Sequence, residues 1–207
     1  WALVHANLKR ILMFWIAMPC STLTKARGIP QPGIQVRPLR TSIDLWGRKD
    51  VKLTNAETQQ LFIANVLLVF IFRLIQFARN NAKFWVLENP SGSLLWEFQQ
   101  IMNICEREYV YVCDYHACMV GSRRPKKQRL MSNFEPLIVE FRGMKCDGQH
   151  THLPWTVRIR GVSTRFFSHE EAVYPELFNK RVATVLCDFV KTSFSSCDSL
   201  KVRPRSS

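Results

Sequence analysis

Apolar positions run almost unbroken from Ile11 to Met18 and stop at Pro19, a pattern that predicts a short strand buried on both faces. Residues 21–53 are rich in Pro, Gly, Arg and Thr and read as one long loop, of a length usually tied to function or mobility. Thr54-Asn55-Ala56-Glu57 has the spacing of a capping box, and the apolar stretch after it predicts a helix to about Arg79, closed by Asn80-Asn81. Lys83 to Leu87 predicts a second strand ending at Glu88, Leu94 to Arg107 a helix, and Tyr109 to Cys113 a third strand. Arg129 to Ser132 has room for a further short strand, Pro136 to Phe141 is another apolar segment, and Tyr174 to Ser193 predicts a helix. Strands alternating with helices imply an α/β fold with a mostly parallel sheet. The expected organisation is a single domain over 1–194, with the loop 21–53 inside it, and a basic polar tail over 195–207 that frays.

The most apolar part of the long helix, Leu61 to Ala78, approaches the length of a membrane span. It carries Asn65, Arg73 and Gln76, and a central arginine is costly in lipid. A buried or half-buried helix of a globular domain is therefore expected, and no membrane partner. The chain opens at Trp1 rather than Met, which suggests a fragment; Pro19-Cys20 follows Ile11–Met18 where a signal peptide would have a small-residue cleavage site. Seven cysteines, odd in number and irregularly spaced, suit a reducing compartment, so an intracellular location, nuclear or cytoplasmic, is expected.

Charge adds a partner class. The 29 Lys and Arg against 16 Asp and Glu leave a formal charge of +13, which favours phosphate-rich partners, nucleic acid above all. Arg123, Arg124, Lys126, Lys127 and Arg129 form one basic group, and Arg37, Arg40, Arg48 and Lys49 a second. Either group is also what a solvated loop looks like.

Two strand ends carry candidate chemistry. Cys20 leaves the carboxyl end of the first strand, where open α/β sheets place ligands. There it is either a small buried hydrophobe or a nucleophile. Glu88-Asn89-Pro90 ends the second strand, as a turn or as a carboxyl that engages a substrate nitrogen if burial raises its pKa.

A strand ending in Pro19-Cys20, a helix, a strand ending in Glu88-Asn89, a third strand and a basic loop together resemble the cytosine-5 DNA methyltransferase family. Compact, divergent members from protists and mobile elements are the most similar in layout. Arg37-Pro38-Leu39-Arg40, Ser93-Leu94-Leu95-Trp96, Cys146 with His150 and His152, and Ala172-Val173-Tyr174-Pro175 carry the rest of the resemblance. It implies a Rossmann-like methyltransferase fold and transfer of a methyl group from S-adenosylmethionine to cytosine in DNA. Cys20 would attack carbon six of the base, and Glu88 would hold the neighbouring ring nitrogen. Asn89, Lys127, Arg129 and Arg40 would bind substrate. The alternative is a basic nucleic-acid-binding or mobile-element-derived protein that has lost catalysis.

The chain departs from the family pattern in three ways. The glycine-rich first βα turn that would hold the methyl donor is expected upstream of Trp1, leaving the fold incomplete at its N-terminus and its cofactor-binding residues unknown. Between Arg129 and Tyr174 there is no room for a full target-recognition domain, and the usual Gln-x-Arg-x-Arg order is not reproduced in Lys127-Gln128-Arg129. Metal chemistry has one candidate: Cys146, Asp147, His150 and His152, with Cys113, His116 and Cys118 to complete a zinc site. Neither half has a CxxC pair, so the expectation is hydrogen-bonded loop residues and no metal.

Overall fold

The computed structural model describes residues 2–28, 37–157, 165–166 and 173–199. Its elements are α1 (Ala2–Ala6), β1 (Met13–Ala17), α2 (Asn55–Asn80), β2 (Phe84–Pro90), α3 (Gln99–Cys105), β3 (Tyr111–His116), β4 (Lys127–Ser132), α4 (Glu135–Phe141), β5 (Thr156–Val157), β6 (Arg165–Phe166) and α5 (Glu176–Ser199). β5 and β6 form a separate two-stranded ladder. Residues 200–207 of the expected tail, 29–36 of the long loop and Ala172 lie outside the described residues.

The fold is α/β. Its main sheet has the order β1-β2-β4-β3. β1 and β2 are parallel, with Ala17 opposite Glu88, whereas β4 runs antiparallel to both β2 and β3. The sheet is thus mixed, with one parallel pair and two antiparallel ones. The short segment from Arg129 begins earlier than its apolar residues suggest, at Lys127, and inserts between two strands that share a direction. β1, β2 and β3 therefore point the same way, and their carboxyl ends meet the amino end of β4 at one edge. As an edge strand, β1 is only half-buried, unlike the doubly buried strand its composition predicts.

Two apolar layers cover the sheet. On one face Ala64, Leu68, Ile71, Ile75 and Ala78 of α2 recur at helical spacing and pack with Trp85, Leu87, Ile101 and Met131. The opposite side of α2 leaves Phe62, Ile63 and Val66 more than half exposed; among the described residues α2 is the one helix long and apolar enough to cross a membrane. Its start is as the sequence predicts. Thr54 accepts a hydrogen bond from Glu57 N while Glu57 reaches back to Thr54 N. On the other face Val86, Tyr115, Leu130, Phe134, Leu137, Ile138, Phe141 and Phe178 join β2–β4 to α4 and α5. The predicted helix over 94–107 is broken: a 3-10 turn over Leu94–Glu97 and α3 meet at Phe98, which is extended.

Candidate active site at the carboxyl edge of the sheet

The strand ends bring together residues far apart in sequence. Asn89 is buried, and its side-chain amide donates to Met18 O at 2.8 Å, tying the end of β2 to the turn that presents Cys20. The turn closes on itself through Leu23 N and Thr24 N, both 2.9 Å from Cys20 O. It is held to the segment after β2 by the Thr24–Ser93 bridge and the Leu94 N–Leu23 O bond. Cys20 is half-buried at this edge, beside Glu88.

Glu88 is 6% exposed. Its Oε2 accepts from the Tyr174 hydroxyl at 2.8 Å, and that hydroxyl accepts from Trp15 Nε1 at 3.0 Å. Tyr174 is fixed in turn by stacking on Phe178, with ring centroids 4.7 Å apart. Gly121 sits at φ +101°, a backbone that L side chains rarely adopt. An added Cβ there would lie 3.2 Å from Pro175 Cβ, so the turn opening the basic loop can lie close beside Tyr174-Pro175.

The electrostatics are set by burial. Desolvation raises the Glu88 pKa, opposed by the Tyr174 hydrogen bond, by Lys126 and by Gln128. Burial likewise raises the Cys20 thiol; Lys126 lowers it and the Glu88 charge raises it. The Glu88 carboxylate and Lys126 thus act on the Cys20 thiol with opposite sign. Glu88 Oε1 and Gln128 Oε1 are both buried without a hydrogen-bond partner. Leaving buried acceptors unpaired costs on the order of 1–3 kcal/mol each, so this corner of the site is suited to a ligand that carries N–H groups.

The remaining expected residues lie elsewhere. Asn89 pairs with Arg129 across β2 and β4, whereas Glu88 pairs with Leu130. Because side chains alternate along a strand, Arg129 is on the opposite face from Glu88. It forms a bidentate pair with Asp114 at 2.6 and 2.9 Å and lies over the Trp96 ring at 5.5 Å. There it lines a shallow, mostly apolar pocket of about 230 Å³ with Ile101, Cys105 and Met131. Lys127 is exposed opposite His116. Arg40 is 2% exposed and binds Thr22 Oγ1 and Leu45 O. Burial lowers its pKa to about 10, and its place is that of a clamp between loops, enclosed by protein. Most of the second basic group is spent internally, since Arg37 binds Glu57 and Arg48 binds Asp50.

Lys126, Gln128, Tyr174 and Trp15 are site residues that sequence reasoning missed. Tyr174 carried a signal in its Tyr-Pro motif. Gln128 instead of Arg129 follows only from the register of β4, which the sequence does not show. Cys146, His150 and His152 do come together, joined by Cys118. Neither a family model, nor a curated protein, nor a solved structure matches the chain.

Proposed function

We propose that the chain is a divergent DNA cytosine-5 methyltransferase-like protein, with Cys20 as nucleophile and Glu88 as the carboxyl that holds the base. The observation that carries this reading is that Cys20, just past the end of β1, and buried Glu88, on the parallel strand beside it, share one sheet edge, where one Glu88 oxygen is left unpaired. The shared direction of β1, β2 and β3 supports a Rossmann-like methyltransferase fold, and the antiparallel β4 departs from a mostly parallel sheet.

The chemistry follows from that placement. Burial raises the Glu88 pKa and so favours its taking up a proton, which it donates to the ring nitrogen of cytosine while Oε1 accepts from the exocyclic amine. Removing the Glu88 charge also removes one of the effects that raise the Cys20 pKa, leaving Lys126 to favour the thiolate. As Sγ bonds to carbon six, the carbon five–carbon six π pair shifts to carbon five and is delocalised toward the protonated nitrogen. The Cys20 proton goes to solvent. A base must leave the duplex to reach such a site; exposed Arg123 and Lys127, with half-buried Lys126, offer phosphate contacts.

The implied methyl donor, S-adenosylmethionine, finds no matching set among the described residues. The pocket beside Arg129 and Trp96 is mostly apolar and lies on the face opposite Glu88.

The test uses an oligonucleotide with 2-pyrimidinone replacing one cytosine, whose carbon six accepts a thiol without any methyl donor. A denaturation-resistant adduct is expected, absent in Cys20→Ser and strongly reduced in Glu88→Gln. An adduct that survives Cys20→Ser contradicts the reading. The raised resting pKa of Cys20 favours a second reading, a nucleic-acid-binding protein without catalysis. In that case no adduct forms, and salt-sensitive DNA binding survives both substitutions.

A further inference from the structure

Beyond the sheet edge, four side chains from two short segments converge on one point. Cys118 lies in the 3-10 turn that follows β3, Cys146 in the loop after α4, and His150 and His152 further along that loop. One ligand atom from each lies within 4.8 Å of all the others. Cys146 Sγ is 3.7 Å from His150 Nε2 and 3.7 Å from His152 Nε2. Tetrahedral zinc, with Zn–S of about 2.3 Å and Zn–N of about 2.0 Å, separates sulfur from nitrogen by about 3.5 Å. The two separations from Cys146 Sγ match the edges of such a site, and all four donors lie within 4.8 Å of one another.

The surroundings supply what a metal site needs outside its ligands. Asp147 Oδ1 lies 3.4 Å from His150 Nδ1, so a proton held on Nδ1 leaves Nε2 as the donor lone pair. Asp147 is itself held by the backbone N–H of Gln149 at 3.0 Å. Cys146 N donates to His116 Nδ1 at 3.0 Å, and His116 N to Met144 O at 2.8 Å, fixing the start of the loop against the end of β3. Leu153 N donates to Arg123 O at 2.8 Å, and Arg124 Nε to Pro154 O at 2.9 Å, fixing its end against the basic loop. A 13-residue stretch with no regular secondary structure, 142–154, is thereby wrapped around the cluster.

We propose that Cys118, Cys146, His150 and His152 bind one zinc ion as a structural site. Two thiolates and two imidazoles select zinc over magnesium or calcium, which take oxygen ligands. Four protein donors close the coordination sphere, leaving no position for water or substrate. Binding releases the two thiol protons to solvent and leaves two thiolates on a dication, a neutral centre. Its place sets a consequence for the sheet edge. Cys118 precedes Gly121 and the loop carrying Lys126, and 142–154 overlies that loop, so the metal holds the segment whose charge acts on Cys20 and Glu88.

The experiment is zinc stoichiometry of the full chain, purified under reducing conditions without chelator and measured by mass spectrometry of the metal. About one equivalent is expected in the wild type and in Cys105→Ser and Cys187→Ser, both exposed cysteines outside the cluster. Cys118→Ser and Cys146→Ser should each lose it. Because those two variants can fail to fold, Asp147→Asn is the second arm. It keeps all four donors and should bind zinc about tenfold more weakly in competition with a chromophoric chelator. Cobalt loading should give the intense visible bands of a tetrahedral site and a thiolate charge-transfer band. Absence of zinc, zinc retained in both cysteine variants, or a Cys118–Cys146 disulfide in the purified chain overturns the proposal.

Discussion

Two polar clusters sit near the same edge of the sheet, and they are built on opposite principles. Around Cys118, Cys146, His150 and His152 neighbouring groups support the cluster, with Asp147 on His150 and His116 on the Cys146 backbone. Around Cys20 and Glu88 the polar groups are left short. Three buried oxygens, of Glu88, Asn89 and Gln128, have no partner, burial pushes both titratable groups toward their neutral forms, and Tyr174, packed with Phe178 and Trp15, walls the Glu88 side. A satisfied cluster stabilises the fold. An unsatisfied one is maintained against stability, and such groups are candidates for function.

The largest expected effect tests that wall. Phe178→Ala removes the ring stacked on Tyr174 and packed between Tyr115 and Phe141. It should cost about 3–5 kcal/mol in urea unfolding. If the two clusters are independent, zinc content stays unchanged; parallel loss of zinc would merge them. Next, Tyr174→Phe leaves Glu88 Oε2 and Trp15 Nε1 without their shared hydroxyl and should cost about 1–3 kcal/mol at neutral pH. No loss on thermal melting would mean that the hydroxyl does not support Glu88.

Glu88→Gln should act in the opposite direction. The folded-state pKa of Glu88 is raised, so the folded chain holds its proton more tightly than the unfolded one. Stability therefore falls as pH rises from the unfolded pKa through the folded one. The variant should melt a few degrees higher than wild type at neutral pH, with the gain vanishing near pH 4. A gain that persists at low pH would trace to packing instead of charge. The smallest effect belongs to the far face. Arg129→Gln breaks a partly exposed ion pair with Asp114 and should change stability by less than about 1 kcal/mol, without altering Cys20.

The same contrast shows what a sequence makes legible. The capping box at Thr54–Glu57 and the existence of the second strand could be read from local pattern, but that strand runs on to Pro90 and holds Glu88 inside it. Arg40, Arg37 and Arg48 could not be told from binding residues. Their partners Thr22, Glu57 and Asp50 lie in the turn after β1, on α2 and two residues along the same loop, and no spacing marks them out in advance. Arg129 was misplaced for a register reason. A shift of one residue along β4 exchanges its two faces, and only the pairing of Gln128 with Pro90 settles which side chain joins Glu88. The four-ligand cluster was legible in three of its members. Cys118 was one of several possible completions until the turn after β3 was seen to face the loop after α4.

The central claim is that the Glu88 carboxylate raises the Cys20 thiol while Lys126 lowers it. The pH dependence of Cys20 alkylation by iodoacetamide, read at the Cys20 peptide by mass spectrometry, tests it without any ligand. Relative to wild type, the midpoint should fall in Glu88→Gln, because the charge that raises the thiol is gone, and should rise in Lys126→Met. Identical midpoints in all three proteins would contradict the account.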